Sequence, residues 1–263
     1  MTVFAPIIPV GVESAIRSYG FVPNNVTLSP SVILQNQDMY KKLYSRNRPA
    51  QIFINSGMSE FDRNMGWNAV AEAARFVRAT HIFLPDVLHD RDGTLGQATV
   101  AMVMLGKQPG FEVIGVPQGN SYEEYIDCAN ELVDMGVNAL AVAKSIQDIS
   151  RLRATFVLGM SGLGVPVHIL GVSRDLDEDL YCCRLPRVKT ISSALPIWLG
   201  QQGKTLGNPW VKNTEMYGSR PKDYFLSSEV KTEVLANLFL VASWLEHHDA
   251  LNGVKPKPSV RKV

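Results

Sequence analysis

Thr80-His-Ile-Phe-Leu-Pro-Asp86-Val-Leu-His-Asp90 is an apolar run that ends on a proline and then presents a carboxylate. Read as a buried strand, it delivers Asp86 to the strand's carboxyl end. The same design recurs at Gln51-Ile-Phe-Ile-Asn55, Val113-Ile-Gly-Val-Pro-Gln118-Gly119, Ala139-Leu-Ala-Val-Ala-Lys144, Val167-His-Ile-Leu-Gly171 and Val188-Lys-Thr-Ile-Ser192. Each apolar stretch hands over to a polar residue or a glycine. Between them lie segments of helical spacing, such as Asn64 to Val77, Thr94 to Leu105, and the run after Ser121-Tyr-Glu-Glu124, where Ser121 and Glu124 form a capping-box signature. Strands therefore recur roughly every 25 to 30 residues with a helix between, the cadence of right-handed parallel strand-helix units.

Working outward, 263 residues suit one large domain better than two small ones. The length fits an α/β fold of the (β/α)8 TIM type, with an open doubly wound sheet as the alternative. No G-x-G-x-x-G follows the first strand, which argues against a dinucleotide fold. The opening Phe4-Ala-Pro-Ile-Ile-Pro-Val is rich in proline and reads as an edge or plug. A short strand is expected near Val26, a mixed helical segment to about Tyr44, and a helix from Glu229 to His248.

Composition narrows the function classes. With 46% hydrophobic and 19% charged residues the chain reads as a soluble globule, no apolar run reaches membrane-spanning length, and the amino terminus lacks the basic start of a secretion signal. A cytoplasmic protein without a membrane partner is the expectation. Three cysteines, two adjacent at Cys182-Cys183, build neither a disulfide framework nor a C-x-x-C metal site, so no metal is expected. The net charge of +1 hides a basic segment over residues 184–222, where Arg184, Arg187, Lys189, Lys204, Lys212, Arg220 and Lys222 face one acid, Glu215. Trp198, Trp210 and Tyr217 are interleaved, and residues 254–263 form a basic tail. Basic side chains among aromatics suit a phosphate backbone with stacking bases, the competing reading being a solvated loop and a frayed tail.

In a parallel barrel the carboxyl ends of the strands open on one rim where catalytic groups gather. That rim is expected to hold Asn55, Asp86, Gln118, Gly119, Lys144, Gly171 and Ser192. Singly these are ordinary turn residues. Together they define a candidate site. His168, on an apolar strand, reads as a hydrogen-bonded core histidine.

Ile54-Asn55-Ser56-Gly57, Leu84-Pro85-Asp86, Val116-Pro-Gln118-Gly119, His168-Ile-Leu-Gly171 and Thr190-Ile-Ser192-Ser-Ala-Leu-Pro196, in that order, resemble the base-exchanging guanine transglycosylases over roughly Phe4 to Gly203. The resemblance implies replacement of guanine by a 7-deazaguanine co-substrate without any other cofactor. It implies a base pocket of Asp86, Gln118, Gly119, Lys144 and Gly171, with catalysis by Asp86, Asn55, Ser192 and Asp90. The family's nucleophilic carboxylate is replaced here by Ser192 and its proposed general base by Asn55, while Lys144 falls in a segment where the family has a glycine pair. The C-terminal zinc subdomain of the tRNA-acting enzymes has no counterpart, which favours the DNA-acting branch of phages and bacteria. On this reading residues 1–263 are one barrel whose basic segment holds nucleic acid, DNA rather than tRNA, and a homodimer or a partner subunit is compatible with it. A catalytically silent transglycosylase-like subunit that binds nucleic acid or a base is the second reading. A barrel enzyme acting on another small molecule through Asp86, Asp90 and His89 is the third.

Overall fold

The computed structural model of the protein describes residues 2–56, 66–105, 110–144, 146, 149, 152–171, 176–206, 230–251 and 260–262. The chain runs through β1 (Val3–Pro6), α1 (Val10–Ser18), β2 (Phe21–Pro23), β3 (Asn25–Leu28), α2 (Pro30–Gln35), α3 (Gln37–Tyr44), β4 (Gln51–Ile54) and α4 (Trp67–Val77). It continues through β5 (His81–Phe83), α5 (Arg91–Leu105), β6 (Glu112–Gly115), α6 (Tyr122–Asp134), β7 (Ala139–Ala143) and α7 (Arg153–Ser161). The last elements are β8 (Val167–Leu170), α8 (Leu176–Cys182), β9 (Val188–Ser193), α9 (Leu195–Gln201), α10 (Thr232–Leu251) and β10 (Val260–Lys262).

Eight strands lie side by side in the order β1-β9-β8-β7-β6-β5-β4-β3, every pairing among them parallel. A further parallel bridge between Ile7 and Thr27 brings β1 to β3, and the fold is a (β/α)8 barrel. The strands are apolar on both faces because one face meets the ring of helices and the other meets the barrel axis. Val26, Ile52, Ile54, Ile82, Leu140, Val142, Ile169 and Ile191 pack outward with the helices. Ala5, Phe53, Phe83, Ile114, Val116 and the three alanines of β7 (139, 141 and 143) fill the axis. Small side chains on β7 leave room for the Phe53 and Phe83 rings from β4 and β5, and such volume matching is what close-packed interiors require.

The amino-terminal segment corrects one half of the sequence reading and keeps the other. Val3–Pro6 is no plug but a strand at the end of the sheet order, paired with β9 from Val3 opposite Thr190 to Pro6 opposite Ser193. The Ile7 amide donates to the Ser193 carbonyl (2.9 Å), so the neighbouring Pro6 turns its missing donor toward β3. The weakest seam of the ring, a single bridge, therefore falls where proline leaves the ladder short. The Thr27 hydroxyl adds a side-chain bond to the Ala5 carbonyl across that seam (3.2 Å).

Helix signals hold with shifted boundaries. The Ser121 hydroxyl accepts from the Glu124 amide (3.2 Å), while the Glu124 carboxylate reaches back to the Asn120 amide (2.8 Å), one residue beyond the capping-box position. Helix α5 begins at Arg91, ahead of Thr94, because the Asp90 carboxylate caps it through the Gly93 amide (2.9 Å). Helix α10 crosses α9 closely: a Cβ on Gly200 would lie 2.4 Å from the Val234 backbone, so only glycine permits the contact. The tail is not simply frayed, since β10 pairs antiparallel with β2. Among the described residues no helix is long and apolar enough to cross a membrane, and no group of three His, Cys, Asp or Glu is placed to hold a metal.

Candidate active site at the carboxyl ends of the strands

Pro85 and Pro117 end the ladders of β5 and β6 and release the chain into the two loops that build the site. Asp86 follows the first and Gln118 the second. The Gln118 amide donates from Nε2 to Asp86 Oδ2 (2.7 Å), and its Oε1 accepts the His89 backbone amide (3.3 Å). His89 holds a left-handed conformation (φ 58°) that only a few per cent of non-glycine residues adopt. Its backbone donor and the Asp86 acceptor together fix which way the Gln118 side chain faces. Gln118 is 1% exposed, so this orientation is locked. Gly119 next to it lies against α6, where a Cβ would stand 2.8 Å from Glu124 and 2.9 Å from the Tyr125 amide. Glycine is what lets the β6 loop tuck onto the helix and hold Gln118 beside Asp86.

Asp86 is the chemically unusual group. Burial raises its carboxyl from the ordinary 3.8 to about 6, against the opposing pull of the Gln118 hydrogen bond and of its own backbone amide. A carboxyl poised near neutrality can both take and return a proton.

The other predicted residues fall into three groups. Asn55, Lys144 and Gly171 do stand at the ends of β4, β7 and β8. Lys144 is exposed, and Gly171 (φ 79°) sends its amide to the Ser192 carbonyl (2.9 Å). Asp90 and Ser192 are occupied elsewhere. Asp90 is the exposed cap of α5, and Ser192 points inward, 0% exposed, with its hydroxyl 3.0 Å from His168 Nε2. His168 is the core histidine that the sequence suggests: its Nδ1 meets the Thr190 hydroxyl, and Phe53 and Phe83 pack on its ring. Burial, with smaller contributions from the neighbouring His81 and Arg153, holds this imidazole down at about 3, so it is neutral.

The basic segment is the third group. Arg184 and Arg187 lie in the turn between α8 and β9, Lys189 is exposed near the start of β9, and Lys204 follows α9. Turns that lead into strands sit at the amino ends of the barrel, so Arg184, Arg187 and Lys189 stand at the opposite end from Asp86, roughly 15–20 Å away at 3.3 Å per strand residue. Lys212, Arg220 and Lys222 lie outside the described residues.

One residue that the sequence reading passed over is prominent. Arg153 is fully buried beneath the ends of β7 and β8 and pairs with Asp179 of α8 (2.9 Å). The available signal was an arginine in the first turn of a helix, where the helix dipole disfavours a cation.

No protein-family model matches the chain, and no curated protein matches it by sequence. Solved structures do match in shape. The YdjI aldolase from Escherichia coli K12 is 14% identical with a TM-score of 0.57, over 91% of this chain and 90% of that one. A Coccidioides immitis protein provisionally assigned as a fructose-1,6-biphosphate aldolase is 15% identical with a TM-score of 0.58, over 96% and 92%. The 3-keto-L-gulonate-6-phosphate decarboxylase from Vibrio cholerae is 16% identical with a TM-score of 0.50, over 76% and 92%. At these identities the likeness establishes the barrel.

These findings overturn the guanine-transglycosylase resemblance. The barrels that the chain matches carry aldolase and decarboxylase names, and no sequence family supports the superfamily. The chemistry agrees: the nucleophile position holds a sealed hydroxyl on a neutral histidine, and Asn55 offers an amide in place of a base. Exchange of guanine for 7-deazaguanine in DNA, a phage-type DNA-modifying role and the silent transglycosylase-like subunit are set aside with it.

Proposed function

We propose that the chain is a carbon–carbon lyase of aldolase or decarboxylase type acting on a small carbonyl compound through an enolate. The observation that carries this is Asp86, a clamped rim carboxyl whose proton affinity lies close to neutrality. In the ionised form it takes a proton from the carbon beside the carbonyl, and the bonding pair moves to the carbonyl oxygen. Lys144 supplies the positive charge that faces the developing oxyanion. Asp86, Gln118 and Lys144 follow the consecutive strands β5, β6 and β7, whose spacing of about 5 Å leaves some 10 Å between acid and cation, room for a small substrate. The aldolase and decarboxylase names of the matching barrels support the same intermediate, since both chemistries pass an electron pair between carbon and a carbonyl. Three buried thiols, none in a disulfide, fit a reducing cytoplasm.

The test is exchange of the α-carbon protons of simple carbonyl compounds with deuterated water, followed by NMR on dihydroxyacetone phosphate, pyruvate and glycolaldehyde. Protein-dependent exchange with at least one of them is expected. Exchange no faster than in buffer for the whole set contradicts the reading.

A further inference from the structure

The buried cation under the Lys144 side of the mouth has no part in the chemistry described so far. Arg153 Nη1 donates to the Gly171 carbonyl (2.7 Å) and to Asp179 Oδ1 (2.9 Å). Its Nη2 donates to the Leu170 carbonyl (2.8 Å) and to the Val142 carbonyl. Val142 and Leu170 belong to the last turns of the ladder in β7 and β8, so one guanidinium ties together the two strand ends that carry Lys144 and Gly171. A second bond joins the two helices that carry the ion pair, from the Ala154 amide of α7 to the Glu178 carboxylate of α8 (3.2 Å).

Burying both partners of an ion pair costs several kcal/mol, and a pair of apolar residues would hold two helices against a barrel as well or better. A forked donor is needed for something packing cannot do. It must hold carbonyls on two strands at a fixed separation, for which Arg has the geometry and Lys does not.

We infer that Arg153, anchored by Asp179, is the positioning residue of the mouth, setting the separation of the β7 and β8 ends so that Lys144 faces the substrate oxygen opposite Asp86. This rests on the lyase reading for the role of Lys144, whereas the coupling of the two strand ends stands on the geometry alone.

Arg153→Lys keeps the charge but cannot span both strands, and Arg153→Met combined with Asp179→Asn removes the pair without leaving an unpaired charge. Two readouts are needed: amide hydrogen exchange at residues 143–144 and 170–171, with residues 54–55 as the distant control, and kcat and KM for α-carbon exchange. In both variants exchange at the β7 and β8 ends is expected to rise about tenfold or more while the β4 end is unchanged. For catalysis, kcat should fall about ten- to a hundredfold with KM little altered, as for a reacting group displaced by a fraction of an ångström. Wild-type protection at both strand ends, with only the melting temperature lowered, overturns the inference and leaves Arg153 a packing residue. If the wild type fails to exchange any carbonyl compound, the lyase reading falls, and hydrogen exchange still decides the strand-end coupling. Should Arg153→Lys not fold, the double variant carries both readouts.

Discussion

Asp86 at the mouth and His168 on the barrel axis are both titratable groups taken out of water, and the same cause drives them to opposite uses. Desolvation penalises whichever form is charged. For a carboxyl that means a rise, here to about 6, into the range where proton exchange at neutral pH is efficient. For an imidazole it means a fall, here to about 3, far below any working pH. Their partners differ too. Asp86 meets the Gln118 side-chain amide and its own backbone amide on a partly open rim, whereas His168 has both ring nitrogens matched to hydroxyls and two phenyl rings around it. The comparison teaches that burial of a titratable group marks chemistry only where the shift brings it toward working pH and one side is left for a substrate.

The change expected to separate the two regions most is Asp86→Asn. It preserves the acceptor for Gln118 and removes the proton carrier, so α-carbon exchange should fall about 10²–10⁴-fold. Stability should move the other way. Asp86 has a raised folded-state affinity for its proton, so its stabilising contribution is present at low pH and is lost as pH rises from 3.8 through about 6. At pH 7 the wild type carries that penalty, roughly 1–2 kcal/mol after allowance for partial solvent access. Asp86→Asn should therefore melt about 3–6 °C higher at neutral pH, read by calorimetry.

His168→Ala should show the reverse pattern, a loss of about 2–4 kcal/mol from the cavity and the orphaned hydroxyls of Thr190 and Ser192, measured by urea unfolding. His168 also supplies the opposite pH signature. Its folded-state affinity is lowered, so its contribution is present above the unfolded value of 6.5 and is lost as pH falls toward 3. Between about pH 4 and 6 the two groups offset one another in the wild type. Asp86→Asn should expose a steeper acid loss of stability in that window, and a His168→Asn variant should tilt it the other way, its stability relative to wild type rising as pH falls. Equal slopes in wild type and both variants would break the comparison.

Two smaller effects sharpen it. Gln118→Leu removes a donor that lowers the Asp86 affinity for its proton, so the midpoint of the α-carbon exchange profile should move up from about 6, with a severalfold loss of rate at pH 7. Ser192→Ala should change exchange by less than about threefold and stability by about 1 kcal/mol, because its hydroxyl serves only the interior cluster.

Much of this was legible in the sequence. Parallel strands covered on both faces must be continuous apolar runs, so the strands ending before Asn55, Asp86, Gln118, Lys144 and Gly171 announced themselves, and with them the rim. Prolines concealed β1, since a proline reads as ladder-breaking unless its donor happens to face the seam. Arg153 was concealed by a general expectation that arginine is solvated, and its acceptors apart from Asp179 are backbone carbonyls, which leave no trace in residue identity. Proximity in sequence also misled: Arg184 and Arg187 follow the β8 rim by fewer than twenty residues, but α8 carries the chain back to the opposite end of the barrel. The motif resemblance drew on strand-end residues that a (β/α)8 barrel places on its rim whatever the reaction, and it was the chemistry at Asn55 and Ser192 that did not fit.

The central claim is that the mouth of the barrel holds Asp86 as a carboxyl that takes up its proton at about pH 6, well above the ordinary 3.8. Carbon-detected NMR titration of the Asp86 carboxyl in the folded protein tests it most directly. A midpoint at about 6, moving upward in Gln118→Leu, is the predicted result. A midpoint at the ordinary 3.8, unmoved by loss of Gln118, would contradict the account.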